Sequence, residues 1–167
     1  RLARSGLGWM PETGGIIPGL SGVGLVAYMG ELSGMPKQDA MQRAHEVLHF
    51  VGLKDERYRP CDTYSQGMRQ RLKLACALVH DPQWLLLDEP FTHVDGPTAE
   101  AAVALIQEAL DKIMQERTSL VIAHRLSTIE HADLILVFQE GKIVARGTHQ
   151  ELLETSPEYQ RLAGVMK

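Results

Sequence analysis

Apolar positions along the chain follow two periods. Ala40, Met41, Ala44, Val47, Leu48 and Val51 recur at the 3.6-residue spacing of a helix that starts at Pro36, and Gly52 follows as a candidate C-terminal stop. Met68, Leu72, Ala75, Leu78 and Val79 form the stripe of another helix, with Ser65 placed to cap it and Asp81-Pro82 to break it. A helical stretch is also expected over Val23 to Leu32, after a Gly- and Pro-rich loop from Thr13 to Gly22. Leu7 to Met10 reads as a short strand ending at Pro11. Gln83 to Asp88 and Thr118 to Ala123 are apolar runs that suit parallel strands buried on both faces. Between them Gly96-Pro97 opens a helix, and Ala101, Leu105, Ala109 and Ile113 carry it to about Arg117. Strand, helix, strand is a crossover unit, so the expected class is α/β with a parallel sheet.

Toward the C-terminus the signals are local. Ser127-Thr128-Ile129-Glu130 and Thr148-His149-Gln150-Glu151 both have the spacing of a capping box. Leu134 to Phe138 and Ile143 to Ala145 read as strands joined by a turn at Glu140-Gly141, and Ser156-Pro157 opens a last helix. No internal repeat is visible.

Composition narrows the function classes. With 167 residues the chain can bury one core, and no apolar run nears the roughly 20 residues of a membrane span. A net charge of -4 argues against a nucleic-acid partner, and the one basic cluster, Arg69-Gln70-Arg71-Leu72-Lys73, falls inside a helical pattern. Cys61 and Cys76 match no metal or redox spacing; Cys76, among Leu74, Ala75 and Leu78, reads as a buried free thiol in a reducing setting. The opening Arg1-Leu2-Ala3-Arg4 is neither a signal peptide nor an initiator Met, so a fragment or processed chain is expected.

Three places could carry chemistry. Leu85-Leu86-Leu87-Asp88-Glu89-Pro90 is an apolar strand ending in adjacent carboxylates. At the carboxyl edge of a parallel sheet such groups face the crevice where ligands bind; one can hold Mg²⁺ and the next can deprotonate a water. Alone, the run reads equally as a strand followed by a polar turn. In Tyr64-Ser65-Gln66-Gly67-Met68 a serine caps a helix with a glycine in its first turn, which makes an anion site or simply an ordinary cap. His124 follows the strand Leu120-Val121-Ile122-Ala123 and would emerge at the same edge as Glu89, either to bond a γ-phosphate or as a plain polar strand end.

Taken together, these segments resemble the ABC ATPase family, over about Leu7 to Lys167. Tyr64 to Met68 looks like the signature motif, with Arg69-Gln70-Arg71 as its basic continuation. Leu85 to Glu89 resembles the Walker B strand and catalytic Glu, Thr92-His93-Val94-Asp95 the D-loop, and Ile122-Ala123-His124-Arg125 the switch-histidine loop. The resemblance implies a partial P-loop NTPase core with a parallel sheet plus an α-helical signature subdomain, and ATP and Mg²⁺ as ligands. It implies that Asp88 holds Mg²⁺, that Glu89 is the general base and that His124 touches the γ-phosphate. Asp95 would couple two sites across a dimer. Ser65, Gln66, Gly67 and Met68 would contact ATP held by a second nucleotide-binding domain, and Glu12 occupies the Q-loop position. A transmembrane permease domain or subunit is the other implied partner, at the inner face of the cell membrane. The expected division is 1–12 (core strand and Q-loop), 13–80 (signature subdomain), 81–150 (RecA-like core) and 151–167 (helical tail).

The sequence departs from that family in three ways. No G-x-x-x-x-G-K-S/T loop occurs; the one Gly-Lys pair, Gly141-Lys142, lies in the expected hairpin. The phosphate cradle is therefore absent, and weak ATP binding without turnover is expected of this chain alone. The D-loop carries His93-Val94 where a small residue and Leu are usual. Tyr64 to Ala77 resembles ATPases paired with separate export permeases, while Ser119 to Leu153 resembles fused multidrug or lipid exporters, so an exporter is expected with its substrate unread. The rivals are a non-transport ABC ATPase and, from another class, a zinc protease through His45-Glu46-Val47-Leu48-His49. The histidines and glutamate of that pentad lie off the apolar stripe, where solvated residues belong.

Overall fold

A computed structural model of the chain describes residues 6–90, 104, 107–108, 118–123 and 126–165. The expected D-loop, the switch histidine His124 and most of the helix from 96 to 117 lie outside them. The chain divides into two compact units, Arg1–Ile122 and Ala123–Lys167.

In the first unit β1 (Leu7–Met10), β2 (Trp84–Asp88) and β3 (Thr118–Ile122) form a parallel sheet in the order β1-β2-β3. The register sets Met10 beside Leu87 and Asp88 beside Ile122. Alternation then sends Met10, Leu85 and Leu87 inward, where they are fully buried. The opposite face carries Leu7, Trp9, Trp84, Leu120 and Ile122, all about half exposed. Burial of β2 and β3 on both faces, expected from their apolar runs, is thus not what the structure shows. An apolar run records that both faces of a strand prefer cover; the described residues supply it on one face only.

α1 (Gly22–Leu32) and α2 (Lys37–Phe50) pack on each other and on α3 (Gln66–Leu78), which lies against β1 on the inner face. Ser21 caps α1, its Oγ accepting from the Gly24 N–H at 3.2 Å. On α2 the buried stripe is Ala40, Ala44, Val47 and Leu48, whereas Met41 is 38% exposed and falls off it. The helix ends as its glycine predicts. Gly52 takes φ 75°, its N–H bonds the His49 carbonyl and the Leu53 N–H reaches back to the Leu48 carbonyl at 2.8 Å. That six-to-one closure drops Leu53 into the core. Two short 3₁₀ turns, Asp55–Tyr58 and Cys61–Thr63, lead to α3. Along α3 the backbone lies so close to β1 that a Cβ on Gly8 would collide with the Ala77 carbonyl oxygen. One core runs from Met10, Leu85 and Leu87 through Leu25, Val26, Leu48, Leu53, Leu72 and Leu74.

The second unit begins with a one-turn helix, α4 (Leu126–Ile129). Ser127 lies inside that turn, not ahead of it, so the capping box expected there does not open a helix; Glu130 closes the turn with its N–H on the Leu126 carbonyl. The hairpin of β4 (Ile135–Gln139) and β5 (Lys142–Gly147) turns on Glu140 and Gly141, with φ 50° and 75°. Two left-handed residues in a two-residue loop match the right-handed twist of the strands. The second expected box forms fully at α5 (His149–Thr155): the Thr148 N–H donates to Glu151 Oε2 at 2.9 Å and the Glu151 N–H to Thr148 Oγ1. Pro157 starts α6 (Pro157–Val165), and Ser156 Oγ accepts from the Tyr159 N–H. Ile135, Val137, Leu152, Tyr159 and Ala163 make this unit's own core.

Two outcomes are expected. Leu72→Ala, at a fully buried site, should lower the unfolding free energy by about 2–5 kcal/mol, read from urea midpoints. Trp9 and Trp84, the only tryptophans, are 58% and 56% exposed on the uncovered face. The folded chain's emission should therefore be red-shifted and quenched by acrylamide nearly as well as that of the unfolded chain; a blue-shifted, protected emission would show that face to be covered.

Candidate functional site at the carboxyl edge of the sheet

Because the strands are parallel, Met10, Asp88 and Ile122 end at one edge. Glu89 leaves β2 in the left-handed region, at φ 48°, and its N–H donates to the Ile122 carbonyl at 2.9 Å. A non-glycine residue held there costs about 1–3 kcal/mol, a strain found where a side chain must be aimed. The bond ties Glu89 to the end of β3, two residues before His124. Asp88 and Glu89 are both half-buried. His124 itself and Asp95 lie outside the described residues.

Pro11 and Glu12 continue from β1 at the same edge. Their carbonyl oxygens accept from Lys73 Nζ, at 3.0 and 2.6 Å respectively. Lys73 is only 6% exposed. Burial pulls its pKa down from the ordinary lysine value, while the carboxylates of Glu12 and Asp88 favour its charged form. The sequence showed Lys73 only as the end of a basic run on a helix. Its partners lie 61 and 62 residues away, so no local signal marks them.

The capped helix start forms as expected. Ser65 sits at N-cap, with φ -64° and ψ 165°, and its Oγ accepts from the Met68 N–H at 3.3 Å. Ser65 and Gln66 are exposed, Met68 half-buried and Gly67 buried. Tyr64 fixes the turn from below: its hydroxyl donates to the Glu56 carbonyl at 2.6 Å, and burial pushes its pKa up to about 12. Arg69 Nε donates to the Tyr64 carbonyl and Arg71 Nη1 to that of Gly52. Ser65, among the described residues, hydrogen-bonds through its side chain to the Met68 N–H and to neither Asp88 nor Glu89. It stands eight residues before Lys73 on one helix, about 12 Å along the axis.

The remaining residues singled out have local partners. Glu46 Oε2 accepts from Arg43 at 3.0 Å and Oε1 from Gln42, and those bonds lower its pKa on an exposed helix face. The His45 ring tilts against Tyr58 with centroids 5.9 Å apart. Among the described residues no group of three or more His, Cys, Asp and Glu is arranged to hold a metal ion. His80, two residues past the end of α3, has its Nε2 3.2 Å from the Leu7 carbonyl oxygen, and burial lowers its pKa. Cys61 is buried and Cys76 partly so; both are free thiols.

A family model described as ABC transporter matches residues 1–92. The ATP-dependent lipid A-core flippase of Pseudomonas aeruginosa is 43% identical over 145 residues, which cover 82% of this chain and 23% of that protein. The protein of that name from Xanthomonas campestris is 52% identical over 101 residues, 60% of this chain and 16% of the relative. The chain thus spans less than a quarter of the length of these relatives. With more than half of its residues under the matching family model, the chain belongs to the ABC transporter family.

Proposed function

We propose that this chain is part of the ATP-hydrolysing motor domain of an ABC exporter. The observation that carries the proposal is the placement of Asp88 and Glu89 at the carboxyl edge of a parallel sheet, with Glu89 bonded through its backbone to the end of β3. Asp88, a half-buried carboxylate at a strand end, is a hard oxygen donor of the kind Mg²⁺ takes, directly or through water. Bound Mg²⁺ would neutralise charge building on the phosphate oxygens. Glu89 orients a water and takes its proton as that water attacks the terminal phosphorus in line. His124, two residues past β3, donates to the γ-phosphate, and Glu12 senses the site from the Q-loop position.

Ser65, Gln66, Gly67 and Met68 serve a different nucleotide, held by a second nucleotide-binding domain, and Asp95 couples the two. The roughly 12 Å between Ser65 and Lys73 along α3 supports that division, as does the exposure of Ser65 and Gln66. The described backbone provides no phosphate loop, and the 167 residues contain no G-x-x-x-x-G-K-S/T. The donor set fits Mg²⁺ at Asp88 but not a full triphosphate cradle, so this chain alone neither holds ATP tightly nor turns it over. The segment 13–80 acts as the signature subdomain that docks on a transmembrane permease, between the core parts 1–12 and 81–150, with 151–167 as a tail. The name of the relatives, ATP-dependent lipid A-core flippase, supports a motor that works on a membrane transporter, and the proposed place of this one is the cytoplasmic face. No described helix is long and apolar enough to cross one.

In an ATPase domain that joins this segment to a phosphate loop, Glu89→Gln should lower kcat by roughly 10²–10⁴-fold while nucleotide binding persists. Hydrolysis at the unsubstituted rate would remove Glu89 from the role of base. The 167-residue chain alone should show no steady-state phosphate release above buffer; robust turnover would contradict the missing cradle.

A further inference from the structure

The ammonium of Lys73 is the one strongly buried cation whose hydrogen-bond partners, among the described residues, lie at the candidate site. Burying a lysine charge costs several kcal/mol unless acceptors are supplied, so buried lysines are found paired. Here the acceptors are the backbone oxygens of Pro11 and Glu12, not a side chain. The loop beyond is shaped around the lysine stem. Gly14 and Gly15 both take left-handed φ, at 76° and 78°. A Cβ on Gly15 would sit at contact distance, 3.7 Å, from Lys73 Cγ and Cδ and from Pro11 Cγ. The helix that carries Lys73 also carries Ser65 at its cap.

We infer that Lys73 is a positioning residue: its two bonds latch the segment after β1, including Glu12, to the helix that begins at Ser65, so that the two move as one body. Its functional consequence rests on the proposed reading of the sheet edge as a hydrolytic site. The latch itself does not, because it joins backbone to side chain with no ligand present. Through it, a displacement of the helix start is passed to Glu12, two residues beyond Met10, the strand end that pairs with Leu87. A hydrophobic residue could fill the same space but could not hold two carbonyls. An arginine at the same place could hold them.

The test uses the 167-residue chain without nucleotide, labelled with ¹⁵N and ¹³C. In the unsubstituted protein the Lys73 ammonium should exchange its protons at least ten-fold more slowly than the exposed Lys37 and Lys54. It should also show through-hydrogen-bond coupling to the carbonyl carbons of Pro11 and Glu12. An ammonium that exchanges as fast as the exposed lysines overturns the latch, whatever any variant does. Lys73→Met keeps the stem and removes the charge. It should drop the backbone ¹⁵N heteronuclear NOE of Glu12, Thr13, Gly14 and Gly15 to that of a free loop, and leave Leu25 and Val26 in α1 unchanged. Lys73→Arg should restore most of that rigidity. Unchanged NOEs at residues 12–15 in the methionine variant, an equal loss in α1, or a folded arginine variant as loose as the methionine one would each overturn the inference. Hydrolysis that survives Glu89→Gln, the outcome that would sink the hydrolytic reading, would leave these readouts untouched, so the two failures are distinguishable.

Discussion

The parallel register of β2 between its two neighbours is the constraint on which the candidate site depends. Side chains alternate along a strand, so a slip of one residue would turn Leu85 and Leu87 out and drive Asp88 into the core. The register is held from one side by α3 and the residues that follow it. Gly8 admits the helix backbone at Ala77, His80 Nε2 lies 3.2 Å from the Leu7 carbonyl oxygen, and Lys73 bonds the carbonyls of Pro11 and Glu12. The seven steps from Lys73 to His80, helical as far as Leu78, span about 10 Å, and the four extended steps from Leu7 to Pro11 about 13 Å. The helix therefore runs antiparallel to β1 and grips it near both ends. The N-terminal half of α3, with Ser65 at its tip, extends past the carboxyl edge.

What was legible in the sequence is what short-range physics fixes. Ser65 and Thr148 cap because their side chains reach an N–H three residues away. Gly52 and Gly141 show themselves because left-handed backbone selects for glycine. The apolar run into Asp88-Glu89 located the sheet edge, and the strand–helix–strand order gave the α/β class that the parallel sheet and the family match now show. What was not legible depends on distant partners. Nothing near Lys73 announces Pro11, and nothing near His80 announces Leu7. The box at Ser127 failed for a related reason: its pattern is local, but whether a turn becomes a helix start depends on packing, and here the backbone is already helical at Leu126.

The sheet also shows how an apolar run overstates burial. Trp84, Leu86, Leu120 and Ile122 read as interior positions, yet three of the four are more than half exposed, because cover on their face is not supplied by the described residues. Each half-exposed large side chain forgoes part of the roughly 1.5–3 kcal/mol that full burial contributes.

The basic run at 69–73 carries the same lesson to function. As a sequence it is three cations in five residues, the only such cluster in an acidic chain, and it could be taken for a surface that binds polyanions. In the structure each cation is committed to backbone oxygens. Arg69 holds Asp62 and Tyr64, Arg71 holds Gly52 and Gly67, and Lys73 holds Pro11 and Glu12. Carbonyls left over at a turn, a helix end and a strand end are satisfied by one helix that supplies long donors at successive positions. A guanidinium or ammonium spent in this way costs desolvation, and that cost is offset only while every acceptor stays in place. The helix is thereby tied to three separate loops at once, and its motion is theirs.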